Sequence, residues 1–223
     1  TGFAGLSYLR TGLKFGTNIA LARLIAPKVF GDLALAVSIF AFFNLASRWG
    51  ISEAIMQRKV REIAPTIFTL RSLYCLLLAV AVIIASYLFG RVYNSQISLI
   101  FLVIGLTSSF GNFGGIYKSV LQKKLELSLL GKIDLIGSLV ASGLDLTMAV
   151  YGVEIFSLIL LNSIRKLVTT FAVIYVSPFR GKFELNRDVV RWFFKFARKI
   201  FIGESIYKLE NRADDLLVGT YLG

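Results

Sequence analysis

Residues 72–90 read SLYCLLLAVAVIIASYLFG and contain no charged side chain. After Arg91, residues 92–117 read VYNSQISLIFLVIGLTSSFGNFGGIY and contain none either. A run of about 18 or more apolar residues with few or no charges has the length of a helix that crosses a bilayer core. Two such runs in succession decide the fold class: an all-α, polytopic integral membrane protein. Moving outward from this pair, the same pattern predicts seven spans, at roughly 3–25, 30–51, 66–90, 97–118, 130–151, 153–177 and 197–221. Pro27, Pro65 and Pro178 are expected at span edges, because proline ends or opens helices.

Composition agrees. Of 223 residues, 56% are hydrophobic, above the roughly 45–50% usual for a soluble domain. The formal charge of +12 would suit a nucleic-acid binder if it formed one patch. Instead, Lys and Arg gather in the short segments between apolar runs, which excludes nucleic acid as the expected partner. Arg58, Lys59 and Arg61 follow the second span. Lys118, Lys123, Lys124 and Lys132 follow the fourth, and Arg180, Lys182, Arg187, Arg191, Lys195, Arg198 and Lys199 follow the sixth. The intervening segments hold only Lys28 with Arg23 nearby, Arg91, and no cation at Tyr151 and Gly152. This alternation predicts that segments 2–3, 4–5 and 6–7 are cytoplasmic.

Histidine is absent and Cys75 is the one cysteine, so neither a His-based catalytic dyad, a His metal site nor an internal disulfide is expected. No catalytic residue, metal or cofactor is predicted. The chain begins at Thr1 and ends at Gly223, directly after a helical pattern, so the natural protein is expected to be longer.

From Phe183 to Lys199, aromatic and cationic residues interleave, with Asn186 placed to cap a helix. An amphipathic helix on the inner membrane face is expected, or a plain link between two bundles. Gly111, Gly114 and Gly115 cluster in span 4, and Gly137 with Ala141 and Ser138 with Ser142 repeat four apart in span 5. Close helix packing explains them; a bending point at the span 4 glycines is the alternative.

Residues 22–36, ARLIAPKVFGDLALA, and 49–59, WGISEAIMQRK, resemble the start of the polysaccharide flippases. These are the O-antigen and exopolysaccharide exporters of the multidrug/oligosaccharidyl-lipid/polysaccharide superfamily. Residues 211–223, NRADDLLVGTYLG, are similar to a later landmark of that family. The resemblance implies two six-helix lobes around a central cavity. Residues 1–178 would be the first six-helix transmembrane lobe, 179–196 a cytoplasmic amphipathic linker, and 197–223 the first helix of a second lobe.

It also implies translocation of a lipid-linked oligosaccharide or polysaccharide precursor by alternating access. The partners would be that lipid-linked sugar, membrane lipid, H+ or Na+ as coupling ion, and other polysaccharide-assembly proteins. A cation-coupled drug or metabolite antiporter of the same superfamily and a non-enzymatic membrane scaffold are the alternatives. A membrane-embedded enzyme of the same pathway would need a long loop with an acidic motif, and no loop here is long enough.

A pyrophosphate-linked sugar needs a polar, positively charged cavity, and an ionisable residue deep in a span is costly enough to suggest function. Arg165 and Lys166, mid-way along span 6, are the first candidates, with a structural ion pair as the alternative. Lys14 and Arg10 on one face of span 1, and Lys208 and Arg212 in span 7, complete the predicted substrate-binding set. Asp145, Glu204, Glu210 and Asp214 are candidates for a coupling ion or for ion pairs. Arg48 and Arg71 are expected to snorkel to the inner interface.

Overall fold

In the computed structural model of the chain, the residues described are 2–24, 31, 33, 36–40, 50–92, 95–152, 154–200, 202 and 203. Seven elements carry the argument: α1 (Gly2–Leu24), α2 (Ile51–Gln57), α3 (Val60–Val92), α4 (Ser95–Phe113), α5 (Gly115–Lys123), α6 (Leu127–Val150) and α7 (Glu154–Val176). An eighth, α8, covers residues 187–200. No strand occurs among the described residues.

Three stretches are long and apolar enough to cross a bilayer: Val60–Arg91, Ser95–Lys123 and Leu127–Met148. The second joins α4 and α5 across Gly114. These helices match predicted spans 3, 4 and 5, and α1 and α7, each 23 residues long, match spans 1 and 6. Pro65 departs from expectation, since it lies inside α3. The helix begins at Val60, so proline falls in its second turn, where it removes one hydrogen bond without ending the helix.

The helices pack as a row. α3 and α4 form a hairpin, α4 continues onto α7, α7 onto α6, and α6 onto α1. Small residues set the close approaches. Gly105 on α4 lies against Val82 so tightly that a Cβ there would overlap the valine side chain. At the far end of the same hairpin, Ser86 and Ser98 bring their hydroxyls within 3.0 Å, and Ser98 donates to the Ser86 carbonyl at 2.7 Å. Hydroxyls paired this way satisfy polar groups that lipid could not.

One end of the bundle is capped by protein. α2 packs on α5, with the Ser52 and Ser119 hydroxyls 2.8 Å apart. Lys123 donates its ammonium to the Ile55 carbonyl at 2.6 Å and to that of Arg58, tying the 4–5 segment to the 2–3 segment. After α7 the chain runs without regular secondary structure over 179–186 and is stitched to the start of α3. Thr69 donates to the Glu184 carbonyl, and the Asn186 amide donates to Thr66. Phe68 centres this end, with Phe113, Tyr117, Phe179 and Phe183 around it at 5.1–6.1 Å.

Asn186 caps α8 as its sequence position suggests: its Oδ1 accepts from the amides of Asp188, at 2.9 Å, and Val189. The apolar face of α8 has a different destination from the membrane surface. Val189, Phe193 and Ala197, four residues apart, are buried in the core that Phe68 and Tyr117 share. Helix α8 also runs without a break through 196, where the linker was expected to end.

Candidate functional site

α4 does not run straight into α5. The helix is interrupted at Gly114, and the Asn112 carbonyl accepts instead from Arg71 Nε on α3, at 2.9 Å. A side chain inserted into the backbone ladder is a standard cause of a helix bend. Gly114 also lies tight against α7: a Cβ would come within 2.9 Å of Thr170 Cγ2. The span 4 glycines therefore serve the close packing expected of them, at a point where the helix is interrupted.

Arg71 corrects an expectation. It was expected to snorkel, yet it is 8% exposed, its guanidinium over the Tyr74 ring at 5.5 Å. The freed carbonyl at the bend offers it a partner inside the bundle, which snorkelling would forgo.

Beside the bend is a cavity of about 190 Å³. Gly111, Asn112 and Gly115 line it from the bend, Ser108 and Lys118 from the helices on either side, and Asp134, Lys166, Thr169 and Thr170 from α6 and α7. Lys166 donates to the Ser108 hydroxyl at 2.6 Å, and its aliphatic stem packs on Gly111. The missing side chain at Gly111 is what leaves room for that stem.

Asp134 is the carboxylate of this site. Its Oδ2 accepts from Arg10 Nη1 on α1 and from Lys118 Nζ on α5, each at 3.3 Å. Arg165 lies close enough to feel the charges of both Arg10 and Asp134, and Lys166 that of Arg165. Arg10 and Lys118 thus hold one carboxylate, with Arg165 near it and Lys166 beside Arg165, leaving the site strongly positive. Such a site can hold a phosphorylated or otherwise anionic group through charge-assisted hydrogen bonds, while Ser108, Thr169 and Thr170 offer hydroxyls to a polar ligand.

Of the predicted residues, the fold brings Arg10, Arg165 and Lys166 together. Lys14 lies one turn beyond Arg10 on α1, and its side chain is outside the described residues. Lys208, Arg212, Glu204, Glu210 and Asp214 are also outside them. Asp145 is fully buried on α6, and among the described residues neither of its oxygens has a hydrogen-bond partner. It lies about 16 Å along the helix from Asp134, at 1.5 Å per residue, and does not line the cavity.

Two site residues were missed. Lys118 was read as a loop cation, and Asp134 was not among the predicted site residues. The available signal was spacing: 111, 115 and 118 share a helical face, as do 134, 137, 138 and 141.

Residues 20–223 match the model of a family described as polysaccharide biosynthesis protein. The chain belongs to this family. Among relatives, it is 24% identical over 166 residues to an uncharacterized membrane protein in the cps region of Klebsiella pneumoniae, covering 71% of this chain and 34% of that protein. It is 31% identical over 135 residues to the lipopolysaccharide biosynthesis protein WzxC of Escherichia coli (strain K12), covering 55% and 26%. The match to the succinoglycan biosynthesis transport protein ExoT of Rhizobium meliloti (strain 1021) is 21% over 215 residues, covering 95% and 44%. The chain therefore spans less than half the length of these polysaccharide biosynthesis family relatives. No solved structure matches it. Family membership and the apolar helices together establish a multi-pass membrane protein of a polysaccharide biosynthesis family.

Proposed function

We propose that this chain forms one lobe of a flippase that moves a lipid-linked oligosaccharide across the cytoplasmic membrane by alternating access. The observation that carries the reading is the pairing of Asp134 with Arg10 and Lys118 beside a cavity that Lys166 also lines, inside an otherwise apolar bundle. Phosphates joined to sugar need such positive charge and such hydroxyls, and hydrocarbon supplies neither. Lys166 and Arg165 would take the phosphates, with Arg10 and Lys118 alongside. Asp134 would keep the cations in place while the site is empty. A second lobe would close the cavity from the other side, and rocking of the two lobes would expose it to each face in turn.

Asp145 is the candidate for a coupling H+ or Na+. A carboxylate sealed in the bundle without a described partner is costly when charged, and a bound cation or proton removes that cost. The charged end of the bundle, with α8 and the segments after α2 and α5, would face the cytoplasm, following the cation bias.

The test is export of surface polysaccharide by cells that make the protein. Replacing Arg165 and Lys166 together by alanine abolishes export, while the protein still inserts in normal amount. Normal export by that variant would remove the cavity from the mechanism.

A further inference from the structure

Helix α8 buries one face and leaves the opposite one bare. Val189, Phe193 and Ala197 enter the core. Arg187, Arg191, Lys195, Arg198 and Lys199 are all exposed. At 3.6 residues per turn these cations fall within about 120° of arc, centred opposite the buried three. Arg187, Arg191, Lys195 and Lys199 follow one another four apart, a spacing at which like charges repel. Among the described residues none of the five takes part in an ion pair. The acidic residue of the helix, Asp188, sits in its first turn, where a carboxylate suits the free amides of the helix end. A bare face of this kind calls for an anionic partner.

Its position in the bundle says which. Arg191 and Arg198 fall three residues before and four after Phe194, on the same side of α8. Phe194 shares an apolar cleft with Leu70, Leu73 and Leu77 of α3. Leu73 and Leu77 are 53% and 60% exposed, on a helix apolar and long enough to cross a bilayer. Phe194, itself 46% exposed, continues that hydrocarbon-facing surface onto α8. Cations that flank an aromatic ring at the edge of such a surface match the headgroup layer of a membrane. A soluble acidic protein would neutralise the cations, but it would have nothing to offer Leu73, Leu77 and Phe194.

We propose that the outer face of α8 binds the headgroups of anionic bilayer phospholipids. Arg191 and Arg198 take the phosphates, which suit the planar guanidinium fork, Lys195 lies alongside, and Phe194 marks the acyl boundary. The helix thus meets the membrane with its charged side, because protein already occupies its apolar side. The site is separate from the polar cavity and stands whatever that cavity carries.

The experiment is native mass spectrometry of the full chain released from nanodiscs of equal parts phosphatidylglycerol and phosphatidylcholine. Retained lipids are counted by mass. The unmodified protein is expected to keep phosphatidylglycerol in preference, and the preference falls when salt is raised before release. Arg191→Gln with Arg198→Gln lowers it about tenfold, the scale set by two cations at an anionic surface. Arg191→Lys with Arg198→Lys keeps most of it. Lys59→Gln with Lys124→Gln removes the same charge at exposed positions away from α8 and leaves it unchanged. Thermal unfolding in phosphatidylcholine alone, the same for all three variants, checks that the fold is kept.

Equal retention of the two lipids by the unmodified protein overturns the proposal and leaves the face to an acidic protein segment. A preference that survives the glutamine pair on α8, or that the Lys59 and Lys124 pair lowers just as much, overturns it too, since net charge and not this face would then select the lipid. The readout needs no transport, so it fails independently of the export test.

Discussion

Asp134 offers one oxygen, Oδ2, to both Arg10 and Lys118. Arg10 and Asp134 side chains are 42% and 25% exposed, so part of their attraction is screened. The carboxylate matters mostly for what it offsets, the mutual repulsion of Arg10, Lys118, Arg165 and Lys166. Asp134→Asn is expected to lower stability by about 1 kcal/mol, read as thermal unfolding in detergent. The loss should shrink at high salt, because the repulsion it exposes is partly screened. An equal loss at low and high salt would mean that shape, not charge, is what Asp134 supplies. Arg71 shows how local context changes a residue's destination. The same side chain that snorkels beside a continuous helix turns inward where a bend frees a carbonyl.

At the scale of elements, the α4–α7 contact depends on the missing side chain at Gly114. Gly114→Ala would press a methyl within 2.9 Å of Thr170 Cγ2. Overpacking of this kind costs about 1–3 kcal/mol. Adding Thr170→Ala should recover most of it, whereas Gly143→Ala, with nothing within 4 Å, should be close to neutral. A double variant no better than Gly114→Ala alone would point to the backbone of the bend instead of the contact.

Helix α8 makes the complementary case. Phe193 is 2% exposed in the shared core, and Phe193→Ala is expected to cost about 3–5 kcal/mol. Limited proteolysis should then cut first within 177–200, since that segment would lose its anchor. Cleavage spread evenly over the chain would show that α8 is not a separate docking unit.

For the whole molecule, the prediction concerns which way the bundle faces. The charged segments all come to one end, joined by Lys123 to the Ile55 and Arg58 carbonyls and by Arg58 stacked 4.3 Å over Trp192. Tyr151, 85% exposed, lies in the turn between α6 and α7. On a Cys75→Ser background, cysteines at Lys124 and Lys182 should react with a membrane-impermeant reagent only after the inner face is opened. A cysteine at Tyr151 should react from outside in intact cells. The reverse pattern would invert the proposed orientation and every assignment of inner and outer mouth.

The sequence by itself determined the class of protein and the order of the helices. Hydrocarbon demands long uncharged runs, and cations are sorted between them, so both signals are local and survive reading in one dimension. The family followed from residues 22–36 and 49–59 in the same way. It also pointed to Arg10, Arg165 and Lys166 as misplaced charges, because depth along a span can be counted. What only the tertiary structure decided is which charges meet. Asp134 and Lys118 belong to the site because α1, α6 and α5 converge there, and Arg71 turns inward because α4 bends at Gly114. The apolar face of α8 was equally visible as a pattern, but whether it met lipid or protein depended on what lay beneath it, and distances between segments are not written in any one of them.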